Sequence, residues 1–298
     1  MPVTSDDIRD LFRSHLAVDL NLSTNTISAY DRDLAEFTQW CHSLKLELFG
    51  IRSEKVYDYL LSLRKKGRNP ATIARRLSSL KHFYRFAVGE GLCRRNPCAS
   101  IEGPRLMRRL PQILDQKEME RLLTMPDTTT ALGLRDSAML ETWYACGLRV
   151  SELQDLKVAD VIMELRLVRV MGKGSRERLV PFGRYAQEAI EAYLATSRTA
   201  LSKPQSPGNL FLNFRGQALS RMGLWKVLKK YSDKCNFRFA VTPHTIRHSC
   251  ATHLIEAGAD IRTVMEFLGH ADISTTQIYT HLDREYLREV HRSFHPRA

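Results

Sequence analysis

The chain has 298 residues, enough for about two domains, and its 45 Lys and Arg against 33 Asp and Glu give a net charge of +12. This excess favours a polyanionic partner, although total charge alone does not identify it. The sequence contains no signal peptide and no apolar run of membrane length, and its six cysteines show no C-x-x-C spacing. We therefore expect a cytoplasmic protein with reduced thiols, and the classes of membrane proteins and secreted disulfide scaffolds are excluded.

The first hundred residues show the apolar spacing of four helices joined by short turns. The apolar stripes span positions 8–16, 27–40, 56–63 and 73–87. Residues 23–25 resemble a helix cap, and Asn69 followed by Pro70 is typical of a helix start. Four helices with short connections form a small bundle, so we predict a helical domain over residues 1–103.

Basic residues are concentrated in the second half of this bundle, where no acidic residue occurs between Asp58 and Glu90. A run of like charge is often only a solvated face. Here the charges flank helices whose other face is apolar, an arrangement that suits contact with phosphates or a nucleic-acid groove. The candidate DNA-contacting residues are Arg64, Lys65, Lys66, Arg68, Arg75, Arg76, Lys81 and Arg85.

Residues 104–112 have the character of a linker. They begin and end near a proline, show no regular period, and contain Arg105, Arg108 and Arg109 without any acid. Proline stiffens such a segment, and the arginines can follow a phosphate backbone. We place the domain boundary here and predict a second domain over residues 113–298.

The second domain is predicted to be mainly helical, with one small β-sheet. Two strand-like runs flank a Gly-Lys-Gly-Ser turn with Lys173 at its tip, which is typical of a β-hairpin. Residues 210–212 are predicted as a third short strand. Taken alone, Lys173 is best explained as a solvated turn residue. The predicted helices begin near positions 115, 134, 150, 185, 220, 243, 260 and 283.

Residues 242–281 contain the polar groups that indicate chemistry. A capped helix places His244 and Arg247 three residues apart on one face. His270 is expected just beyond the end of the next helix, and Tyr279 in a short capped helix after it. Four polar groups are thereby placed at the ends of helices.

This set of groups favours phosphoryl transfer. A tyrosine hydroxyl becomes a useful nucleophile once its proton is removed and the charge it attacks is neutralised. Arginine fits phosphate oxygens, and Arg149, which opens a predicted helix in Gly-Leu-Arg-Val-Ser-Glu-Leu, supplies a second one. No acidic cluster suits magnesium, and His244 and His248 lack the Glu of the metalloprotease pattern, so we expect neither metal nor cofactor. Each residue alone has an ordinary structural explanation, and only the combination favours catalysis.

The combined motifs resemble those of the tyrosine site-specific recombinases of the phage integrase family, Xer type. The resemblance covers essentially the whole chain, including its length, the helical N-terminal region and a His-Pro-Arg-Ala end. Ile246 and Cys250 depart from the usual Leu and aromatic residue, and both concern packing behind the site. The implied catalytic residues are Arg149, Lys173, His244, Arg247, His270 and Tyr279, with Glu152 and His248 in support.

The resemblance implies a mainly α, two-domain DNA clamp that cuts and rejoins DNA through a 3′-phosphotyrosyl intermediate and a Holliday junction, resolving chromosome or plasmid dimers at cell division. Tyr279 would be the nucleophile, Arg149 and Arg247 would bind the non-bridging oxygens, and Lys173 would protonate the leaving oxygen. His244 and His270 would contact the phosphate or help to deprotonate the tyrosine, and the assignment of the base stays open.

The resemblance also implies partners. Residues 1–103 would be a SAM-like core-binding domain on duplex DNA at a recombination site. The protein would act in a tetramer with a paralogous Xer recombinase, with a helix from Tyr286 to Phe294 packed into a neighbouring subunit and a DNA translocase as possible activator. A type IB topoisomerase, which relaxes DNA as a monomer, and a DNA-binding regulator without catalysis are the alternatives. A covalent protein–DNA adduct would exclude the regulator.

Overall fold

A computed structural model describes residues 5–104, 112–172, 177–269 and 281–298, with side chains from residue 8 and, in the last segment, from residue 286. The chain divides into two compact units, Met1–Arg109 and Leu110–Ala298. Each unit has its own hydrophobic core. The three arginines of the predicted linker lie outside the described residues.

The first unit is a bundle of four helices. They are α1 (Ser5–Val18), α2 (Thr24–Ser43), α3 (Ser53–Lys65) and α4 (Pro70–Gly89). The predicted caps are present: the Ser23 hydroxyl accepts a hydrogen bond from the Thr26 amide at 3.2 Å, and Asn69 Oδ1 accepts one from the Ala71 amide at 2.9 Å. Aromatic side chains fill the core, with the rings of Phe12 and Phe83 edge to face at 5.3 Å. The predicted bundle is confirmed.

The second unit is built mainly from helices, which lie close to their predicted positions. They are α5 (Gln116–Leu123), α6 (Ala131–Ala145), α7 (Val150–Asp155), α8 (Arg184–Ala192), α9 (Thr199–Leu201), α10 (Arg221–Cys235), α11 (Pro243–Glu256), α12 (Ile261–Leu268) and α13 (His281–Phe294). A π-helical turn, Tyr193–Arg198, joins α8 to α9. Trp143 and Tyr144 of α6 are fully buried, so this helix forms the centre of the core.

A three-stranded antiparallel sheet in the second unit has the order β1-β2-β3. Its strands are β1 (Val161–Ile162), β2 (Leu167–Met171) and β3 (Glu177–Pro181). In the hairpin of β2 and β3, Val170 lies opposite Arg178. The small three-stranded sheet is therefore confirmed, and residues 173–176 between β2 and β3 lie outside the described part.

The third strand is not the predicted one. Residues 210–212 stay outside the sheet, and Leu212 pairs with Ala218 in an isolated bridge. The side chains of all three residues are buried, so this apolar run reflects burial among helices rather than sheet pairing. The prediction of a strand at 210–212 was wrong. The strand that completes the sheet is instead β1, which pairs with β2.

The last helix, α13, packs on its own unit against α11 and β3. Leu287 and His291 are buried there, and Phe294 packs on the core. From the sequence, folding back on its own domain is the commoner arrangement for such a helix, whereas the family resemblance implies that it packs into a neighbouring subunit. In the described part of the chain, every helix is too short or too polar to span a bilayer.

Candidate active site

Arg149 is fixed at the turn between α6 and α7. Gly147 allows that turn because its φ is +53°, and a Cβ there would come within 2.7 Å of the Leu268 side chain. Arg149 directly precedes α7. Its Nη1 donates to Glu152 Oε1 at 2.8 Å, and its Nη2 donates to the Gly269 carbonyl at 2.8 Å. The half-exposed guanidinium is therefore held at the C-terminal end of α12.

Arg247 lies beside it on the first turns of α11, which the Thr242 side chain caps. Its Nη1 donates to the Gly147 carbonyl at 2.7 Å, and its Nη2 donates to the Leu268 carbonyl at 2.5 Å. Burial, together with the nearby charge of Arg149, lowers the pKa of Arg247 to about 10. The group stays charged at neutral pH, so two arginines present positive charge at the end of α12.

Glu152 is the carboxylate that joins the arginines. Arg178, from β3, donates to both its oxygens at 2.9 Å, and the nearest Arg247 nitrogen lies 3.9 Å away. Burial alone would raise the pKa of Glu152, but the hydrogen bonds and charge of Arg178, with help from Arg149, lower it to about 2. Three guanidiniums against one carboxylate leave a formal charge of +2, which suits an anionic phosphate.

The two candidate histidines of α11 are exposed. His244 lies in the first turn of the helix, three residues before Arg247, and its side chain is exposed. His248 is exposed one turn later, and the described residues offer it no hydrogen-bond partner. No contact within the described residues therefore supports the predicted role of His248. Glu152, in contrast, contacts Arg149, Arg178 and Arg247.

Lys173, His270 and Tyr279 lie outside the described residues. Two of the described segments next to them nevertheless contact the cluster of arginines. Gly269, the residue before His270, accepts the Arg149 hydrogen bond. The strand that follows the Lys173 turn carries Arg178.

Sequence reasoning missed Arg178, because a strand with alternating side chains gave no reason to single out its charged member. The only signal was its position on a face of β3 whose other residues are apolar. Ile246 and Cys250, where the sequence departs from the family pattern, are both buried in the core of the second unit.

In the first unit, most of the predicted basic residues lie at the surface. Arg64, Lys65, Lys66, Arg68, Arg75 and Arg85 are exposed, and Lys81 is half-buried. Arg75 also forms an ion pair with the buried Asp33. Lys81 and Arg85 line a shallow pocket on α4.

Arg76 departs from this set and corrects the prediction for that residue. Its side chain is only 7% exposed. Its Nη2 donates to Glu36 at 2.5 Å, and its Nη1 donates to the Tyr59 hydroxyl at 3.1 Å. The guanidinium is used inside the bundle and is not available to a phosphate.

The fold is shared with solved structures of a site-specific recombinase and a transposon integrase. The structure of XerH site-specific recombinase bound to palindromic difH substrate matches with a TM-score of 0.71, over 96% of this chain and 83% of the other, at 24% identity. The Tn1549 transposon integrase in complex with circular intermediate DNA matches with a TM-score of 0.71, over 94% and 98% of the chains, at 19% identity.

The sequence comparisons place the chain more narrowly. Residues 112–285 match the Phage integrase family, and residues 10–91 match the phage integrase N-terminal SAM-like domain. Tyrosine recombinase XerD of Listeria innocua is 42% identical over 296 residues, 98% of this chain and 100% of the relative. Tyrosine recombinase XerD of Halalkalibacterium halodurans is 45% identical over 284 residues, 94% and 95% of the two chains. This chain belongs to the phage integrase family of tyrosine recombinases, which confirms the predicted resemblance and fold class.

Proposed function

We propose that the chain is a site-specific DNA recombinase, which cuts and rejoins strands through a 3′-phosphotyrosyl intermediate. The observation that carries this proposal is the cluster of Arg149, Arg247 and Arg178 around Glu152, with its excess of positive charge at the end of α12. Two of these guanidiniums are held by backbone carbonyls, so the site has little reorganisation to make when a phosphate binds.

The reaction is a transesterification at the scissile phosphate. The Tyr279 oxygen attacks phosphorus, its proton passes to a base, and the phenolic O–P bond forms as the P–O5′ bond breaks. Lys173 delivers a proton to the leaving 5′-oxygen. Arg149 and Arg247 balance the charge that grows on the non-bridging oxygens, with His244 and His270 as further phosphate contacts.

Rejoining repeats the same step in reverse. A 5′-hydroxyl from the partner strand attacks the phosphotyrosine, and the exchange of one pair of strands gives a Holliday junction. One ester is exchanged for another, so the bond energy of the phosphodiester is retained through the cycle. We expect removal of Arg149 or Arg247 to slow cleavage on the order of 10²-fold or more, as for other donors that bind developing charge.

The match to XerD relatives over nearly the whole chain supports a proposal about the biological setting. We propose that the protein resolves chromosome or plasmid dimers in a tetramer with a paralogous recombinase, activated by a DNA translocase. The residues from Tyr286 to Phe294 would then move from their own unit onto a neighbouring subunit. Such an exchange has to release the buried Leu287 and His291 from their present contacts.

The test is adduct formation on a nicked duplex that carries a Xer-type core site, without divalent metal. Wild-type protein should give a slower, covalent protein–DNA band on a denaturing gel, and Tyr279→Phe should give none while binding the same duplex. An adduct that persists in Tyr279→Phe rejects this nucleophile. Relaxation of supercoiled DNA that lacks any core site would instead favour a type IB topoisomerase.

A further inference from the structure

Arg178 occupies an unusual place for an arginine. Its side chain is only 7% exposed. It lies on β3 of the small sheet and pairs with Glu152, the carboxylate that also binds Arg149. Buried arginines are rare unless they are paired. Arg178 is paired through its two Nη atoms, whereas its buried Nε has no hydrogen-bond partner among the described residues. The two Nη atoms of Arg178 donate to the two oxygens of Glu152, both at 2.9 Å.

Glu152 is saturated as a result. Its Oε1 accepts from Arg149 Nη1 at 2.8 Å and from Arg178, and its Oε2 accepts from the Arg149 amide at 2.8 Å and from Arg178. A carboxylate offers about four lone-pair positions, and all of them are taken. Arg247, 3.9 Å away, is therefore left without a hydrogen bond to this carboxylate.

Arg178 also packs against the other acceptor of Arg149. A Cβ on Gly269 would lie 3.1 Å from Arg178 Cδ and Nε, and Gly269 has a φ of +67°. Both facts favour glycine at that position. The Gly269 carbonyl in turn accepts the hydrogen bond of Arg149 at 2.8 Å. One buried arginine thus borders both groups that fix Arg149.

Removal of Arg178 would change the role of Glu152. The carboxylate would keep the donors of Arg149 and would have two lone-pair positions open. A buried, underpaired carboxylate attracts nearby cations strongly, and among the described residues Arg247 is the nearest cation that does not already donate a hydrogen bond to Glu152. Arg247 would then turn from the carbonyls of Gly147 and Leu268 towards Glu152, and its charge would no longer be presented to a phosphate.

We propose that Arg178 is a positioning residue for strand cleavage, which saturates Glu152 and so leaves Arg247 available for the scissile phosphate. This inference rests on the proposed function. In this proposal Arg178 acts through the arginines that bind the phosphate. An alternative route runs through Lys173, because the strand of Arg178 follows the turn that carries Lys173. The two routes make different predictions, because Lys173 acts on the leaving oxygen and the arginines act on the non-bridging oxygens.

The experiment measures single-turnover adduct formation by Arg178→Met at saturating protein. We expect cleavage of an ordinary nicked core site to slow on the order of 10²-fold, since a misplaced group costs about that much. The Kd for the duplex should change by less than about threefold, as expected when only transition-state contacts are lost. Arg184→Met removes an exposed arginine of the same unit, paired to Glu188 at 3.6 Å, and should cleave like wild type.

Two altered substrates separate the routes. A methylphosphonate at the scissile position lacks one anionic oxygen, so the difference between wild type and Arg178→Met should shrink. A 5′-bridging phosphorothiolate has a leaving group that needs no proton, so the difference should persist. If the phosphorothiolate removes the difference, Arg178 acts through Lys173 and the proposal is overturned. An equal loss on every substrate, in step with a lower Tm, would make Arg178 merely structural and would also overturn it.

Arg178→Lys keeps the experiment decisive if the Met variant does not fold. Lysine retains the charge but offers a compact ammonium donor in place of the planar guanidinium. Arg178→Lys should therefore cleave at a rate between those of wild type and Arg178→Met, and its rate should depend on the substrate in the same way. Wild-type protein that forms no adduct on any of these duplexes would reject the proposed function itself. Wild-type protein that cleaves at the same rate as both variants rejects only the role of Arg178.

Discussion

Among single residues, Glu152 determines how charge is distributed in the site. Its carboxylate accepts four hydrogen bonds from two arginines, and its pKa is lowered to about 2. The group is therefore ionised over the whole neutral range, and it holds Arg149 and Arg178 together. A neutral residue of the same shape would leave three buried or half-buried guanidiniums without a counter-charge.

Glu152→Gln should consequently destabilise the protein in a pH-dependent way. Because the folded pKa lies below the ordinary value of 4.5, the stabilisation is complete above that pH and is lost as the pH falls towards 2. At pH 7 the variant should lose roughly 3–5 kcal/mol of unfolding free energy, the usual effect of breaking a buried pair. Urea unfolding of both proteins at neutral pH and in the acid range measures the difference, which should narrow below pH 4.5.

The matched control is Glu188→Gln, which removes an exposed carboxylate paired to Arg184 at 3.6 Å. Its unfolding free energy should change by less than about 0.5 kcal/mol, as for most surface substitutions. A gap between wild type and Glu152→Gln that stays constant from neutral to acid pH would contradict the assigned ionisation of Glu152.

Sequence motifs predicted part of this site. Arg149 and Glu152 share one helix start, and their pairing follows from local spacing alone. Arg178 comes from a strand, and its contact with Glu152 depends on how the sheet packs against α7. That packing is a non-local interaction, so no local sequence pattern predicts it. Arg76 was misassigned although a signal existed: it lies three residues after Ile73 and four before Leu80, on the apolar face of α4.

At the scale of elements, α13 is held on the second unit by an unusual pair of histidines. The rings of His291 and His295 stack with centroids 4.4 Å apart, and His291 Nε2 lies 3.2 Å from the Ala145 carbonyl. Burial lowers the pKa of His291 to about 4 and that of His295 well below its usual range. Other titratable or charged groups around the pair are Tyr144, Cys250, His253, Arg297 and Glu141. Both histidines are therefore neutral when α13 is docked.

Acid should weaken this docking. The folded pKa of each histidine lies below the ordinary 6.5, so the stabilisation is complete above that pH and is lost as the pH falls through 6.5 towards 4. His291→Gln should reduce the pH dependence of the unfolding free energy by up to about 1.4 kcal/mol per pH unit, the value for one proton. Urea unfolding at several values from neutral pH to about pH 5 tests this.

His42→Gln serves as the control, because His42 is exposed near the end of α2 in the other unit. It should leave the pH dependence as in wild type. If His291→Gln also leaves it unchanged, protonation of His291 does not oppose the docking of α13.

The helices could be predicted because their ends are marked by short-range chemistry. Asp115 and Asp260, for example, each accept hydrogen bonds from amides two or three residues later. The strand β1 has only two residues and is defined by pairing with β2. That pairing is a non-local interaction, and a two-residue segment has too few side chains to show an alternating pattern. Sequence reasoning therefore identified the hairpin but placed the third strand wrongly.

At the scale of the whole molecule, the net charge of +12 is carried partly by the basic surface of the first unit. The exposed members of this surface lie on α3, on the turn that follows it, and on α4. Binding of DNA by such a surface releases counterions, so the affinity should fall steeply as salt increases. Each side chain that contacts a phosphate adds a measurable part to that dependence.

The salt dependence distinguishes the exposed basic residues from the buried one. Arg68→Ala and Arg85→Ala should each reduce the slope of log K against log salt by about 0.9, the contribution of one phosphate contact. Arg76→Met should leave the slope unchanged, because its guanidinium is paired to Glu36 and Tyr59 inside the bundle. It should instead lower the unfolding free energy of the first unit by roughly 1–3 kcal/mol, because the buried Tyr59 hydroxyl loses its donor while Asp33 keeps Arg75 and Glu36 is partly exposed.

Fluorescence anisotropy with a labelled duplex, measured across a series of salt concentrations, gives the slope for each variant, and urea unfolding gives its stability. A reduced slope for Arg76→Met would place that residue among the phosphate contacts and contradict its role inside the bundle. An unchanged slope for both Arg68→Ala and Arg85→Ala would remove these two residues from the phosphate contacts. The positive charge would then have to act through other parts of the chain, because counterion release counts only the cations that reach phosphates.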